Sequence, residues 1–263
     1  MVTGHASVTA KSIITDMLGA MDNIRTLRYT LKCTERINGK IRSSESFAKL
    51  QRSPRKLYLY LKGPELLWVD GQNSGKALVN PNAFPFINLS LDPYGSILRK
   101  DQHHTIHEVG FDYLGGVIQA AIKKVGDKFD KFFVYTGSEK VNDKDCYKVI
   151  INNPDFTFVP YVVKKNETII SIARALKVSE CEIMENNPAV KDLFSIREGD
   201  RLKVPTDYAK LTVLYIDKQN FLPIKNTVMD DKGLFEAYEY HNLQVNVKIP
   251  DEEFLKSYKD YHF

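Results

Sequence analysis

The sequence has few cysteines. Its three cysteines, Cys33, Cys146 and Cys181, are too few and too widely spaced for a disulfide framework or for a zinc site of the CxxC type. A single bridge between Cys33 and Cys146 is compatible with the strand-like segments that carry them, and three thiols packed as small apolar groups fit these positions better. Cysteine usage therefore leaves the redox compartment open.

Long hydrophobic runs are also absent. No apolar stretch reaches the roughly 20 residues that a membrane-spanning helix requires, so no transmembrane segment is predicted. The first 18 residues, MVTGHASVTAKSIITDML, lack the basic start and the unbroken apolar run of a signal peptide. These residues are compatible with a cytoplasmic protein and with one from which a targeting segment has been removed.

Neither sign of charge is in strong excess. The chain has 37 basic and 33 acidic side chains, for a formal net charge of +4. Nucleic-acid-binding proteins usually concentrate basic residues on one face, so no nucleic-acid partner is predicted. The GxSxG, Walker and GxGxxG motifs are missing as well. We therefore predict a protein without catalytic residues, metal or cofactor.

One histidine-rich segment, DQHHTIHE at residues 101–108, is the main candidate for enzyme chemistry. His103 and His107 would share one face of a helix, as zinc ligands do in HExxH enzymes. However, no glutamate follows the first histidine, and Gly110 comes soon after. The favoured interpretation is a solvated loop or strand edge. The alternative is a metal-dependent or cell-wall-active hydrolase that uses His103, His104 or His107.

Period-two alternation of apolar and polar residues is the dominant pattern. It is clear over residues 27–33, and the Asn38-Gly39 pair that follows predicts a tight hairpin. Helical spacing is found over residues 10–24 and 111–125. Most neighbouring strands are joined by loops too short for a crossover, which indicates antiparallel order. The predicted fold class is α+β, a strongly curved antiparallel half-barrel with helices on its concave side.

Residues 158–206 interrupt this pattern with the order strand, helix, helix, strand. Thr168 has the side chain of an N-cap, and apolar residues at helical spacing follow it. Ser179 and Glu182 form a capping-box pattern for a second short helix, which Asn187-Pro188 would end. This segment is predicted to be a compact βααβ module.

The module resembles the LysM domain along its whole length. The matching residues are Tyr161, Val163, Thr168, Ile169, Ile172, Ala173, Val178, Ile183, Ile196, Gly199, Leu202, Val204 and Pro205. The family's Gly-Asp before the threonine is Asn166-Glu167 here. Asparagine tolerates a positive φ better than most residues, so we expect the turn to survive this exchange.

The resemblance implies that the module binds polymers of N-acetylglucosamine such as peptidoglycan. Carried over by position, the implied binding residues lie on two loops: Asn166, Glu167, Thr168 and Ile169 on the first, and Asn187, Pro188, Ala189 and Val190 on the second. The competing interpretation is that this copy only folds, acts as a spacer or contacts another protein.

The remainder of the chain resembles the lipoprotein-localisation fold of LolA-type and LolB-type proteins. Residues 213–254 carry this resemblance through a strand ending in Ile-Asp, a Leu-Pro turn and a closing Pro and Phe, and residues 29–65 and 91–110 are similar to an uncharacterised envelope branch of that superfamily. The predicted organisation is a host domain in two parts, residues 1–157 and 207–263, with the module of residues 158–206 inserted into a hairpin of the host.

The resemblance of the host implies a hollow that holds an apolar ligand, such as a lipid or the acyl chain of a lipoprotein. The candidate lining residues are Leu57, Leu59, Leu61 and Trp68, which fit an ordinary core at least as well. The implied location is the periplasm or the cell envelope, with a signal peptide absent from this sequence.

Overall fold

The structure is a computed structural model that describes residues 8–263. Its helices are α1 (Ala10–Asp22), α2 (Ser96–Arg99), α3 (Asp112–Val125), α4 (Phe129–Phe132), α5 (Ile169–Leu176) and α6 (Glu180–Asn186). Its strands are β1 (Thr26–Ile37), β2 (Lys40–Gln51), β3 (Lys56–Tyr60), β4 (Glu65–Val69), β5 (Ala77–Asn80), β6 (Leu89–Leu91), β7 (Phe133–Val141), β8 (Lys144–Asn152), β9 (Phe158–Val162), β10 (Arg201–Pro205), β11 (Leu211–Asp217), β12 (Pro223–Asp230) and β13 (Gly233–Val245). The predicted class, α+β with antiparallel strands and an inserted βααβ module, is confirmed.

The chain forms two compact units. Of the described residues, the first unit contains 8–22 and Leu114–Phe235, and the second contains Asn23–Tyr113 and Glu236–Phe263. The module lies within the first unit, and its predicted boundaries at residues 158 and 206 stay a prediction. Over the described range, no helix combines the length and the apolar character that crossing a membrane requires.

Seven strands of the second unit follow one another in the order β6-β5-β4-β3-β2-β1-β13, and their ladders are antiparallel. The β1–β2 hairpin closes at Asn38 and Gly39, whose φ angles are +50° and +73°. Two successive positive φ angles match the right-handed twist of the flanking strands, as the Asn-Gly pair predicted. Strand β6 forms the outer edge of this run.

The carboxyl-terminal segment packs against strands of the same unit. The Tyr261 ring stacks on Tyr58 with ring centroids 3.8 Å apart. Glu253 forms ion pairs with Arg28 and with Lys49, whose Nζ atom lies 2.6 Å from Glu253 Oε2. Since Lys49 and Glu253 are both buried, the pair ties this segment to β2.

In the first unit, the strands follow the order β12-β11-β8-β7, with β7 at the outer edge. Strands β8 and β11 are the elements on either side of the module, and they pair directly from Asn152 opposite Leu211 onward. This pairing confirms the predicted host hairpin. Helix α1 contacts β7 and buries its predicted apolar face, including Ile13, Ile14 and Met17.

The module within the first unit has its own apolar core. Strands β9 and β10 pair antiparallel, and helices α5 and α6 pack beside them. Both predicted caps are present, since Thr168 Oγ1 accepts from Ser171 N at 3.1 Å and Ser179 Oγ accepts from Cys181 N at 3.2 Å. The core residues are Val163, Ile169, Ile172, Ala173, Val178, Ile183, Ile196, Leu202 and Val204.

Candidate functional sites

The first loop of the module begins with a left-handed turn. Asn166 has a φ of +64°, so asparagine adopts here the conformation that was expected of it in place of glycine. Glu167 accepts hydrogen bonds from Tyr161 Oη at 2.7 Å and from Lys164 N at 2.8 Å. The Lys164 amide is also the main reason that the pKa of Glu167 lies below its ordinary value. The Glu167 carboxylate therefore closes the turn.

The second loop is fixed by the side chain of Asn187. Its Nδ2 atom donates to Ile183 O at 2.7 Å and to Lys203 O at 2.8 Å, and its Oδ1 atom accepts from Lys203 N at 2.9 Å. Because these bonds use the amide to join α6 to β10, Asn187 positions the loop. Beyond it, Pro188 and Ala189 are exposed.

The two loops meet at one backbone hydrogen bond. Ile169 N donates to Leu193 O at 3.0 Å, which brings the start of α5 against the loop that follows α6. The Ile169 side chain is buried in the module's core and so contributes only its backbone. This hydrogen bond ties the first loop to the segment just beyond Val190, and the role of the predicted loop residues in binding stays a prediction.

One exposed aromatic residue beside these loops is not among the residues predicted from the sequence. Phe194 directly follows Leu193, and 57% of its surface is exposed. Its backbone N–H donates to Asp192 Oδ1 at 2.8 Å, so a turn holds the ring outward. The signal was present as a lone aromatic residue in the loop after α6, but the binding residues implied by the resemblance end at Val190.

An apolar cavity of about 120 Å³ lies in the first unit. It is bordered by α3, by strands β7, β8, β11 and β12, and by the end of α5 in the module. Lys124 and Lys177 stand among its lining residues, and Lys124 Nζ pairs with Asp207 Oδ2 at 2.7 Å. The principal apolar lining residues are Leu114, Val117, Ile118, Ala121, Val125, Phe133, Ile151, Leu176 and Val228.

The four residues predicted to line a hollow lie in the second unit and are not among the lining residues of this cavity. Leu57 faces Trp68 across the β3–β4 ladder, and both side chains are buried, as is Leu59. Trp68 Nε1 donates to Gly75 O at 3.0 Å. Leu61 directly follows β3 and is half-buried. Alternation predicted their burial but could not distinguish a packed core from a cavity wall.

The predicted solvated character of the histidine segment is wrong for His103, which is only 1% exposed. Its Nδ1 atom lies 2.9 Å from Glu236 Oε2, and its Nε2 atom lies 2.9 Å from Arg36 O. Burial alone would lower the pKa of His103, but the hydrogen bond and the charge of Glu236 help to outweigh it and raise the pKa. His103 can be buried because two strand carboxylates and a carbonyl satisfy its polar atoms.

His104 also contacts two oxygen atoms. Its Nδ1 atom lies 3.2 Å from Glu108 Oε2, and its Nε2 atom lies 3.3 Å from Glu236 Oε2. Burial opposes protonation of this ring as well, but the charge of Glu236 and the bond to Glu108 contribute to a pKa well above the ordinary value. The pKa of Glu236 is correspondingly low, because the two histidines outweigh the effect of its burial.

His107 has different surroundings from the other two histidines. Its ring centroid lies 4.9 Å from that of Trp68 and 5.3 Å from that of Tyr94. Burial and then the nearby charge of Arg55 lower the pKa of His107. The structure therefore does not bring together the three histidines that the hydrolase hypothesis grouped.

The carboxylates that face the histidines come from two neighbouring strands. Glu35 of β1 and Glu236 of β13 are register partners, and both are buried. The Tyr238 hydroxyl donates to Glu35 Oε1 and lies 3.2 Å from Glu236 Oε2. A sequence signal for Glu35 did exist, since it continues the face of β1 that begins with Leu27 and Tyr29.

Comparison with known families gives two matches along the chain. Residues 24–170 match the family described as a protein of unknown function, DUF1571. Residues 161–205 match the LysM domain, which confirms that resemblance over the predicted segment. No curated protein shows significant similarity to the chain.

Similar solved structures are remote in sequence. MucB in the Pseudomonas aeruginosa MucA/MucB complex is 14% identical, with a TM-score of 0.42 over 94% of this chain and 60% of that chain. The Mycobacterium tuberculosis lipoprotein LppX is 9% identical, with a TM-score of 0.40 over 92% of this chain and 98% of that chain. The LolA superfamily protein NE2245 from Nitrosomonas europaea is 13% identical, with a TM-score of 0.27 over 96% of this chain and 100% of that chain. This chain spans about three-fifths of the MucB structures, covering 62%, 60% and 59% of them.

Proposed function

This chain belongs to the DUF1571 family and carries a LysM domain, and we propose that it is a non-enzymatic protein of the periplasm or cell envelope with two binding sites. The LysM module binds peptidoglycan or a related N-acetylglucosamine polymer. The host domain holds a small apolar group or the end of an acyl chain. The LysM match over residues 161–205 is the observation that carries the proposal.

The geometry of the module supports glycan binding at its two loops. The Ile169 N–Leu193 O hydrogen bond holds the loops together, and the Glu167 and Asn187 side chains fix their turns. Loops that are already held in place lose little conformational entropy when a ligand binds. The exposed Phe194 ring beside the loops offers an apolar face for the C–H face of a sugar ring.

The experiment is retention of the purified full chain on insoluble peptidoglycan. We expect Phe194→Ala to lower retention several-fold and Phe84→Ala to leave it unchanged, because Phe84 lies outside the module and is even more exposed than Phe194, at 88% against 57%. Deletion of residues 161–205 should abolish retention, while the direct pairing of β8 and β11 preserves the host. Equal retention of the deletion variant and the full chain would contradict the proposal.

The cavity of the first unit supports the second binding site. Its lining is mostly aliphatic, and cavities of this size class admit small apolar molecules. Each CH₂ group withdrawn from water contributes about 0.8 kcal/mol, so a short length of acyl chain suffices for measurable binding. A catalytic group is not required for this activity.

An acyl-chain probe tests this second site independently of the glycan. Ala121 lines the cavity, and Ala121→Phe would place a ring in it. We expect the full chain to bind a fluorescent fatty acid and the Ala121→Phe variant to bind it at least several-fold more weakly. Ala175→Phe, at an exposed position of α5, is the control and should bind the probe as the parent chain does. Equal binding by the Ala121→Phe variant would exclude this cavity as the site.

A further inference from the structure

We propose that His103, His104, Glu236 and Glu35 form a closed structural site for one divalent transition-metal ion of the Zn²⁺ class. One ligand atom from each of Glu35, His103 and Glu236 can be chosen so that all three lie within 4.8 Å of one another. His103 Nδ1 and His104 Nε2 both face the same atom, Glu236 Oε2, at 2.9 and 3.3 Å. Two imidazole nitrogens and a carboxylate oxygen converging in this way form a metal-ligand set.

The outer nitrogens of both rings support this assignment. His103 Nε2 lies 2.9 Å from Arg36 O, and His104 Nδ1 lies 3.2 Å from Glu108 Oε2. A histidine that binds a metal through one nitrogen usually donates its other N–H to a backbone carbonyl or a carboxylate. Glu108 is itself held by the Thr105 N–H at 2.9 Å. These contacts of the outer nitrogens orient both rings so that their inner nitrogens face Glu236.

The charge balance of the site also favours a cation. Glu35 and Glu236 are buried and directly opposite each other in the β1–β13 ladder, where like charges repel. A divalent ion bound between the two carboxylates would offset this repulsion.

The burial of the cluster indicates a structural role for the ion. His103, Glu35 and Glu236 are all buried, whereas a catalytic metal keeps an open position for water or substrate. A bound ion would connect the loop that carries His103 and His104 to strands β1 and β13. The expected consequence is a second unit that is more stable with the metal than without it.

The experiment uses the full chain after treatment with a chelator and subsequent removal of the chelator. The protein is incubated with Zn²⁺, passed through a desalting column and analysed for bound metal and for its thermal unfolding midpoint. The test variants are Glu236→Gln, which keeps the size of the side chain, and His104→Gln, at the least buried of the four positions. His107→Gln is the matched control, because this histidine lies in the same segment and packs on Trp68 and Tyr94 instead.

We expect the parent chain and the His107→Gln variant to retain close to one Zn²⁺ per chain and to unfold at a higher temperature with Zn²⁺ than without it. Loss of a residue that hydrogen-bonds to a metal ligand usually weakens metal affinity roughly 10–100-fold. Loss of a ligand itself should weaken the affinity for Zn²⁺ at least as much. Glu236→Gln and His104→Gln should therefore lose Zn²⁺ on the desalting column. If circular dichroism shows that Glu236→Gln is unfolded, the His104→Gln variant decides the question. A parent chain that retains no Zn²⁺, or folded variants that retain it fully, would overturn the proposal.

Discussion

His103 Nδ1 lies 2.9 Å from Glu236 Oε2, although 133 residues separate the two side chains in the sequence. The contact joins a loop to the strand that pairs with β1, within one compact unit. Because both side chains are buried, each requires the other to satisfy its charge or hydrogen bonds. This part of the unit is therefore held by polar contacts as well as by apolar packing.

We predict that Tyr238→Phe destabilises the protein by about 2 kcal/mol in chemical unfolding experiments. The Tyr238 hydroxyl bonds to both Glu35 and Glu236, and its loss leaves buried carboxylate oxygens with fewer donors. Tyr240→Phe is the control, since this tyrosine is on the same face of β13 and its change keeps both Tyr238 contacts. Equal stability of the Tyr238→Phe variant and the parent chain would show that these bonds contribute little.

The ion pairs of Glu253 predict a pH-dependent contribution to stability. Burial alone would raise the pKa of Glu253, but Lys49 and Arg28 outweigh it and hold the pKa below its ordinary value. A carboxylate with a lowered folded-state pKa stabilises the fold above the unfolded-state pKa of about 4.3, and this contribution is lost as the pH falls through the folded-state pKa. Glu253→Gln should therefore cost about 3 kcal/mol at neutral pH, because it leaves Lys49 buried without a counter-charge.

Urea unfolding of the parent chain and the Glu253→Gln variant at a series of pH values measures this effect. The difference in the free energy of unfolding should shrink below the ordinary glutamate pKa. Asp251→Asn is the control, since Asp251 pairs with Lys56 at 2.6 Å but its side chain is 83% exposed. Exposed pairs contribute about 0–1 kcal/mol, so this variant should show a small difference throughout. If the loss of stability in the Glu253→Gln variant did not change with pH, the ion pairs would not be lowering the pKa of Glu253.

The positive φ of Asn166 predicts opposite outcomes for two substitutions. Asn166→Ala should destabilise the module by about 1 kcal/mol. The Cβ of alanine is strained at a φ of +64°, and alanine lacks the short polar side chain that lets asparagine adopt this conformation. Asn166→Gly should be tolerated, since glycine adopts this conformation without steric strain. Hydrogen exchange of the α5 amides in the two variants measures the difference. Identical exchange would mean that the turn does not control the stability of α5.

The Arg55 side chain predicts that a charge-conserving change will loosen the segment beside the histidine cluster. Its guanidinium donates to His107 O at 3.0 Å and to Val109 O at 2.7 Å and also pairs with Asp112. Lysine lacks the planar fork needed for these contacts together, so Arg55→Lys should cost about 1–2 kcal/mol and speed exchange of the nearby amides. Arg42→Lys, at a largely exposed arginine paired with Asp101, should leave exchange unchanged. If the nearby amides exchanged as slowly in the Arg55→Lys variant as in the parent chain, the contacts of the Arg55 guanidinium would not be what holds this segment.

The sequence alone determined the local structure and the presence of the module. Asn38-Gly39 specified its hairpin because it favours two positive φ angles, and Thr168 and Ser179 capped the helices that they were predicted to begin. The LysM segment was also recognisable, since a small fold with its own core carries its pattern within 45 consecutive residues, 161–205. These features depend on neighbours along the chain, which a sequence displays directly.

The tertiary structure decided which residues form sites. A run of histidines in a polar segment has the pattern of a solvated loop, and only the fold places it against Glu35 and Glu236. In the same way, alternation predicted the burial of Leu57, but only the packing of α3 places a cavity beside Ala121 instead. Site geometry arises from contacts between residues that are distant in the sequence, and neither the period nor the composition of the sequence encodes which distant residues meet.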